Sequence, residues 1–198
     1  MLKKKIKSIF ILICAIIVTE KSFSIEPNIF VQSTVNRASQ ILSEDTSKNE
    51  KIDKLKVIAK ETVDIRGIGF YTLGKYRKTL NDIQKDKYSE LFYEYFLKSF
   101  SSRLSEYSNP KIDVQSQEKL NENYTIVSSI LVATETRPEV KIQWRIYTKN
   151  PEKPMIRDLI IEGLSLARTQ KEEFASILNS NDGDIKALYQ ALEKFSKN

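Results

Sequence analysis

Apolar side chains recur at three- and four-residue steps in the first half of this chain and at two-residue steps in the second. The helical spacing begins over residues 26–44, where Ile29, Phe30, Val35, Ala38, Ile41 and Leu42 form a broken stripe behind Pro27 in the first turn. Residues 45–49 are polar and turn-like. A second helix is predicted over 51–63, with Ile52, Leu55, Ile58, Ala59 and Thr62 on one side. Residues 63–78 hold three of the five glycines, so the backbone there is expected to bend or pack closely. Residues 85–108 carry the clearest pattern: Tyr88, Leu91, Phe92, Tyr95, Phe96, Phe100, Leu104 and Tyr107 make one broad aromatic face. Asn109-Pro110 stops that helix.

The period then changes. Residues 140–148 alternate, with Val140, Ile142, Trp144 and Ile146 on one face and Lys141, Gln143, Arg145 and Tyr147 on the other. Residues 124–134 and 155–161 read as further strands, and 111–117 as an edge strand. Short helices over 170–178 and 184–195 close the chain. Helices followed by a meander of strands indicate an α+β domain, an antiparallel sheet covered by helices on one face. There is no internal repeat, no G-x-G-x-x-G and no P-loop pattern.

The N-terminus supplies an address. Lys3, Lys4, Lys5 and Lys7 precede an uncharged apolar run from Ile9 to Val18, and Ser22-Phe23-Ser24 places small residues where a signal peptidase reads. This predicts a cleaved signal peptide over 1–24 and a mature domain over 25–198 beginning at Ile25. The apolar run is short of the ~20 residues that span a bilayer. Cys14 lies inside it behind Ile13, which does not suit a lipobox. The signal takes five of the 32 basic and one of the 26 acidic residues, leaving 27 basic and 25 acidic, a net charge of +2. The pI of 9.2 is therefore mostly the signal's, and no nucleic-acid partner is implied.

The chain has no histidine, and the mature part no cysteine. Disulfides, His or Cys metal sites and imidazole-activated nucleophiles are excluded by composition. No cofactor is implied. Asp158 and Glu162 would lie about 13 Å apart along a strand, too far for a glycosidase pair. They read as an ion-pair member and a turn residue. Ser165 reads as a brace or cap for the turn into the last helices.

The run Asp158-Leu159-Ile160-Ile161-Glu162-Gly163-Leu164-Ser165-Leu166, followed by Arg168-Thr169-Gln170-Lys171-Glu172-Glu173-Phe174, ends a strand at a glycine and feeds a Leu-Ser-Leu segment into a helix. It resembles the signature of the MlaC family of periplasmic phospholipid-binding proteins. Phe70-Tyr71-Thr72-Leu73-Gly74-Lys75-Tyr76-Arg77 is similar to that family's Val-Leu-Gly-x-Tyr/Trp-Arg region. Gln84 before Tyr88, the 104–107 helix end and Ile142-Gln143-Trp144-Arg145 follow in family order. Two positions depart: Pro154 stands where an aromatic is common, and Tyr88 where Phe is commoner.

The resemblance implies a nuclear-transport-factor-2-like α+β core with extra helices at both ends. It implies a periplasmic carrier that holds phospholipid acyl chains between sheet and helices and is not an enzyme. The implied partners are an inner-membrane Mla ABC transporter complex and an outer-membrane lipoprotein–porin complex. The alternatives are an enzyme on the same scaffold using Asp158 or Glu162, and a ligand-free structural envelope protein. On the carrier reading, the pocket is expected to be lined by Phe70, Leu73, Tyr76, Trp144, Ile146, Ile161, Leu164 and Leu166. Strand residues of one parity should face the glycine-rich region, with Leu164 and Leu166 closing the gap. Lys75, Arg77 and Arg145 are expected to face solvent, leaving the head group weakly held.

Overall fold

The computed structural model describes residues 24–197, so the predicted signal peptide lies outside the described residues but for Ser24. Helix α1 (Pro27–Ser43) and α2 (Lys48–Thr62) come first, then a short α3 (Ile65–Thr72), a 3-10 turn (Gly74–Lys78) and the long α4 (Asp82–Leu104). Strands β1 (Ile112–Asn121), β2 (Tyr124–Leu131), β3 (Val140–Tyr147), β4 (Met155–Ile161) and the two-residue β5 (Leu164–Ser165) follow. Helices α5 (Leu166–Asn179) and α6 (Ile185–Lys197) end the chain. The strands form one antiparallel meander in the order β1-β2-β3-β4-β5. This is the α+β architecture expected from the change of period.

Local chemistry sets the helix starts. Ser47 and Glu50 form a reciprocal capping box that begins α2 three residues earlier than the apolar stripe suggested. Asn81 and Gln84 do the same for α4. The Asp64 carboxylate accepts from the Gly67 amide at 2.8 Å and starts α3.

Two glycines let α3 pack closely. A Cβ on Gly69 would lie 2.8 Å from the Phe92 ring of α4, and one on Gly67 would lie 2.5 Å from an Asp64 oxygen. The glycine-rich stretch therefore remains helical despite the entropic cost of its glycines, about 1 kcal/mol each relative to alanine.

One sheet face builds the core. Val127 and Leu131 of β2, and Ile142, Trp144 and Ile146 of β3, share that face and join Val31 and Val35 of α1 in the hydrophobic cluster. The aromatic face of α4 enters the same cluster: Tyr88 and Phe92 are almost wholly buried, and Phe174 of α5 meets both rings edge-on at 6.5 and 6.2 Å. On the opposite face of β3, Lys141 and Gln143 are exposed. Strand β1 is exposed along most of its length, as befits a polar edge.

Candidate functional site

A β-bulge organises the site. Arg145 pairs with Asp158, but Ile146 pairs with Ile156, so Arg157 is the extra residue of β4. Its guanidinium donates from Nε to Asp64 Oδ2 at 2.6 Å and from Nη1 to the Tyr124 hydroxyl at 3.1 Å. It also stacks 4.1 Å over the Tyr147 ring. Burial alone would lower the pKa of this guanidinium, but Asp64 overcomes that and raises it, so the charge is fixed.

Asp158 is held on three sides. Its side chain is buried, accepting from the Ser165 hydroxyl at 2.6 Å and from the Ala167 amide at 3.0 Å. Arg145 reaches it only at 3.4 Å. The Ser165 oxygen accepts in turn from the Arg168 amide and caps α5. Glu162 (φ 48°) and Gly163 (φ 82°) make the two-residue turn between β4 and β5. The Glu162 carboxylate accepts from the Lys141 amide. The motif Asp158…Glu162-Gly163-Leu164-Ser165 is thus a device that turns β4 into α5.

Between this device and α3 lies a cleft of about 340 Å³. Gly67, Ile68 and Tyr71 of α3, Leu120 and Asn121 of the β1–β2 hairpin, and Ala167 of α5 form part of its wall. Tyr124, Arg145 and Arg157 supply the rest. The lining is amphipathic, with apolar surface from Ile68, Tyr71, Leu120 and Ala167 beside two guanidinium groups.

None of the eight residues singled out from the sequence lines this cleft. Leu73 and Ile146 are fully buried in the core, and Trp144 is buried with its indole N–H donated to Ser129 Oγ at 2.8 Å. Phe70 and Tyr76 pack half-buried against the cluster, and the Tyr76 hydroxyl donates to Asn179. Ile161 is half-buried. Leu164 and Leu166 are exposed, at 59% and 41%. The cleft takes its β3 wall from Arg145, of opposite parity to Trp144 and Ile146.

Lys75 and Arg77 are exposed, as expected. Arg145 is not simply solvent-facing: its side chain is 35% exposed and walls the cleft. Alternation assigned it to the face away from the core, but that face is covered near Asp158 by the start of α5. The Arg157 bulge left no mark in the sequence pattern. The closeness of Ala167 to Asp158 was readable only as the proximity of Ser165 to a helix start.

Residues 32–194 match the model of the family described as MlaC protein. The intermembrane phospholipid transport system binding protein MlaC of Haemophilus influenzae is 24% identical over 192 residues, covering 92% of this chain and 89% of that one. A phospholipid-binding protein from Ralstonia solanacearum, solved in complex with a phospholipid, superposes with a TM-score of 0.73 at 16% identity. It covers 87% of this chain and 98% of its own. That likeness establishes the shared fold.

Proposed function

The chain belongs to the MlaC family, and from that membership we propose that it is a phospholipid carrier whose ligand occupies the cleft between α3, the β1–β2 hairpin and the start of α5. The observation that carries the reading is the amphipathic wall: apolar side chains for acyl tails beside cationic groups at one continuous surface. The tails lie against Ile68, Tyr71, Leu120 and Ala167. Trp144, Ile146 and Leu73 are committed to the packed core, and Leu164 and Leu166 lie largely in solvent. Drug-sized ligands fill pockets of roughly 300–1,000 Å³. A diacyl lipid is larger than such ligands, so loading widens this cleft.

The carrier works in the periplasm after cleavage behind Ser24. There it passes lipid between an outer-membrane lipoprotein–porin complex and an inner-membrane ABC transporter. It does no chemistry on its cargo. Asp158 is committed to Ser165, Ala167 and Arg145, and Glu162 to the Lys141 amide, which leaves neither placed as an acid or base.

Organic extraction and mass spectrometry of protein purified without added lipid is the test. Glycerophospholipid in roughly equimolar amount is expected, and recovery of none would favour a structural protein without ligand. Intact mass of the exported protein checks the address. It should begin at Ile25, and a mass retaining residues 1–24 would overturn the cleavage.

A further inference from the structure

The cationic wall of the cleft has donors to spare. Among the described residues Arg145 makes a single side-chain hydrogen bond, the 3.4 Å contact to Asp158, whose oxygens already accept from Ser165 and the Ala167 amide. Most of its guanidinium N–H groups are therefore unengaged while the side chain lines the cleft. Arg157 stands beside it on the bulge; Asp64 engages its Nε and Nη2, which leaves one N–H on each terminal nitrogen beyond the bonds to Asp64 and Tyr124. The Tyr124 hydroxyl accepts from Arg157 Nη1, and its own proton meets no acceptor among the described residues. One open guanidinium fork, the remaining N–H groups of a second guanidinium and a phenolic O–H thus line one cavity. Forks of this kind match the oxygens of a phosphate.

We infer that Arg145, Arg157 and Tyr124 form a phosphate subsite, and that the phosphodiester common to glycerophospholipids is what they hold. The inference rests on the carrier reading and adds a chemical selectivity to it. The subsite reads the phosphate and not the alcohol esterified to it, so tolerance of different head groups is compatible with firm rejection of tails that carry no phosphate. Asp64 and Asp158 keep the empty site near neutrality. Asp64 also orients Arg157 by taking Nε and Nη2, which leaves Nη1 toward Tyr124 and the cleft.

The test compares ligands of one tail with and without a phosphodiester head. The delipidated mature chain is titrated with a lysophosphatidylglycerol and with a monoacylglycerol of the same acyl length, both below their micellar concentrations. A charge-assisted hydrogen bond adds enough that wild type should prefer the lysophospholipid roughly tenfold or more. Arg145→Gln should lower lysophospholipid affinity more than monoacylglycerol affinity and bring that ratio to within about twofold, and Arg145→Lys should restore part of it. Arg157→Gln leaves Asp64 without its partner, so it is made together with Asp64→Asn, and this pair should reduce the ratio in the same way. Circular dichroism melts confirm the fold of each variant.

Equal wild-type affinity for the two ligands, or equal loss of both in Arg145→Gln, would overturn the subsite. Binding of neither ligand would overturn the carrier reading itself. Inorganic phosphate is the third arm. If it binds alone in the micromolar range and a tail adds nothing, the site serves a soluble phosphate and the lipid assignment is wrong.

Discussion

Tyr88 shows how one polar atom is accommodated in the densest part of the core. The Thr72 hydroxyl donates its proton to the Gly69 carbonyl at 2.7 Å, so the 2.7 Å contact between Thr72 and Tyr88 has the tyrosine as donor. Tyr88→Phe removes that donor and leaves Thr72 satisfied through Gly69, and the expected loss is about 1 kcal/mol in a denaturant titration. Burial raises the pKa of Tyr88, and burial together with the nearby Glu173 raises that of Tyr95. Both phenols ionise later in the folded chain than in the unfolded one. Their contribution is fully present below the ordinary tyrosine value, about 10, and is lost as pH climbs from there through the raised folded values. Thermal melts should therefore fall from pH 9 upward, less steeply in Tyr88→Phe. A variant with the wild-type slope would remove Tyr88 as the cause.

At the scale of the element, α3 is both the roof of the cleft and the part most sensitive to a single methyl group. A Cβ on Gly67 would lie 2.7 Å from Asp64 Cγ and 2.8 Å from Arg157 Nε, in the middle of the ion pair that ties α3 to β4. Gly67→Ala raises intrinsic helix propensity by about 1 kcal/mol, yet the pair must open to admit it. Hydrogen bonds to charged groups contribute on the order of 1.5–3 kcal/mol, so net destabilisation is expected. An increase in melting temperature would show that the pair yields without cost. The capping box of α2 gives a cleaner measurement. Ser47→Ala should cost about 1 kcal/mol, with the Lys48–Thr62 helix shortened at its start.

Elements and their order were legible because period and punctuation agreed. The strand over 155–161 and the aromatic face of α4 followed directly from spacing. Helix starts were less legible where the apolar stripe was weighed above the cap: Ser47-x-x-Glu50 precedes the first apolar position of α2, and Ser165 sets α5 at Leu166, four residues before the expected 170. The helical state of 65–72 was hidden because glycines argue against it locally, and only the approach of Phe92 to Gly69 and of the Asp64–Arg157 pair to Gly67 explains them. Parity placed Trp144 and Ile146 on the core face. It could not say that the other face also walls a cleft, since a bulge at Arg157 and the turn of α5 over Asp158 are tertiary facts without a periodic trace.

For the whole molecule the question is which part of a lipid supplies the retention. Exposing two long acyl chains to water costs on the order of 20 kcal/mol at ~0.8 kcal/mol per methylene. A few hydrogen bonds to a phosphate are worth far less than that. Tails therefore hold the cargo, and the cationic wall selects among tailed molecules. On the carrier reading, which gives neither carboxylate a chemical role, Asp158→Asn and Glu162→Gln should change stability and leave phospholipid turnover at the level of a blank; activity in the wild type that either variant abolishes with the fold intact would refute this. Three substitutions separate depth from surface. Ile68→Asp puts a carboxylate in the apolar lining of the cleft and should empty the protein, because the charge cannot be solvated once tails are in place. Leu164→Asp, on a side chain 59% exposed, should leave it loaded. Lys75→Ala, on an exposed cation outside the cleft, should also leave it loaded. Extraction of bound lipid from each folded variant decides the matter: an empty Lys75→Ala beside a loaded Ile68→Asp would mean that surface charge, and not the apolar cleft, keeps the lipid on the protein.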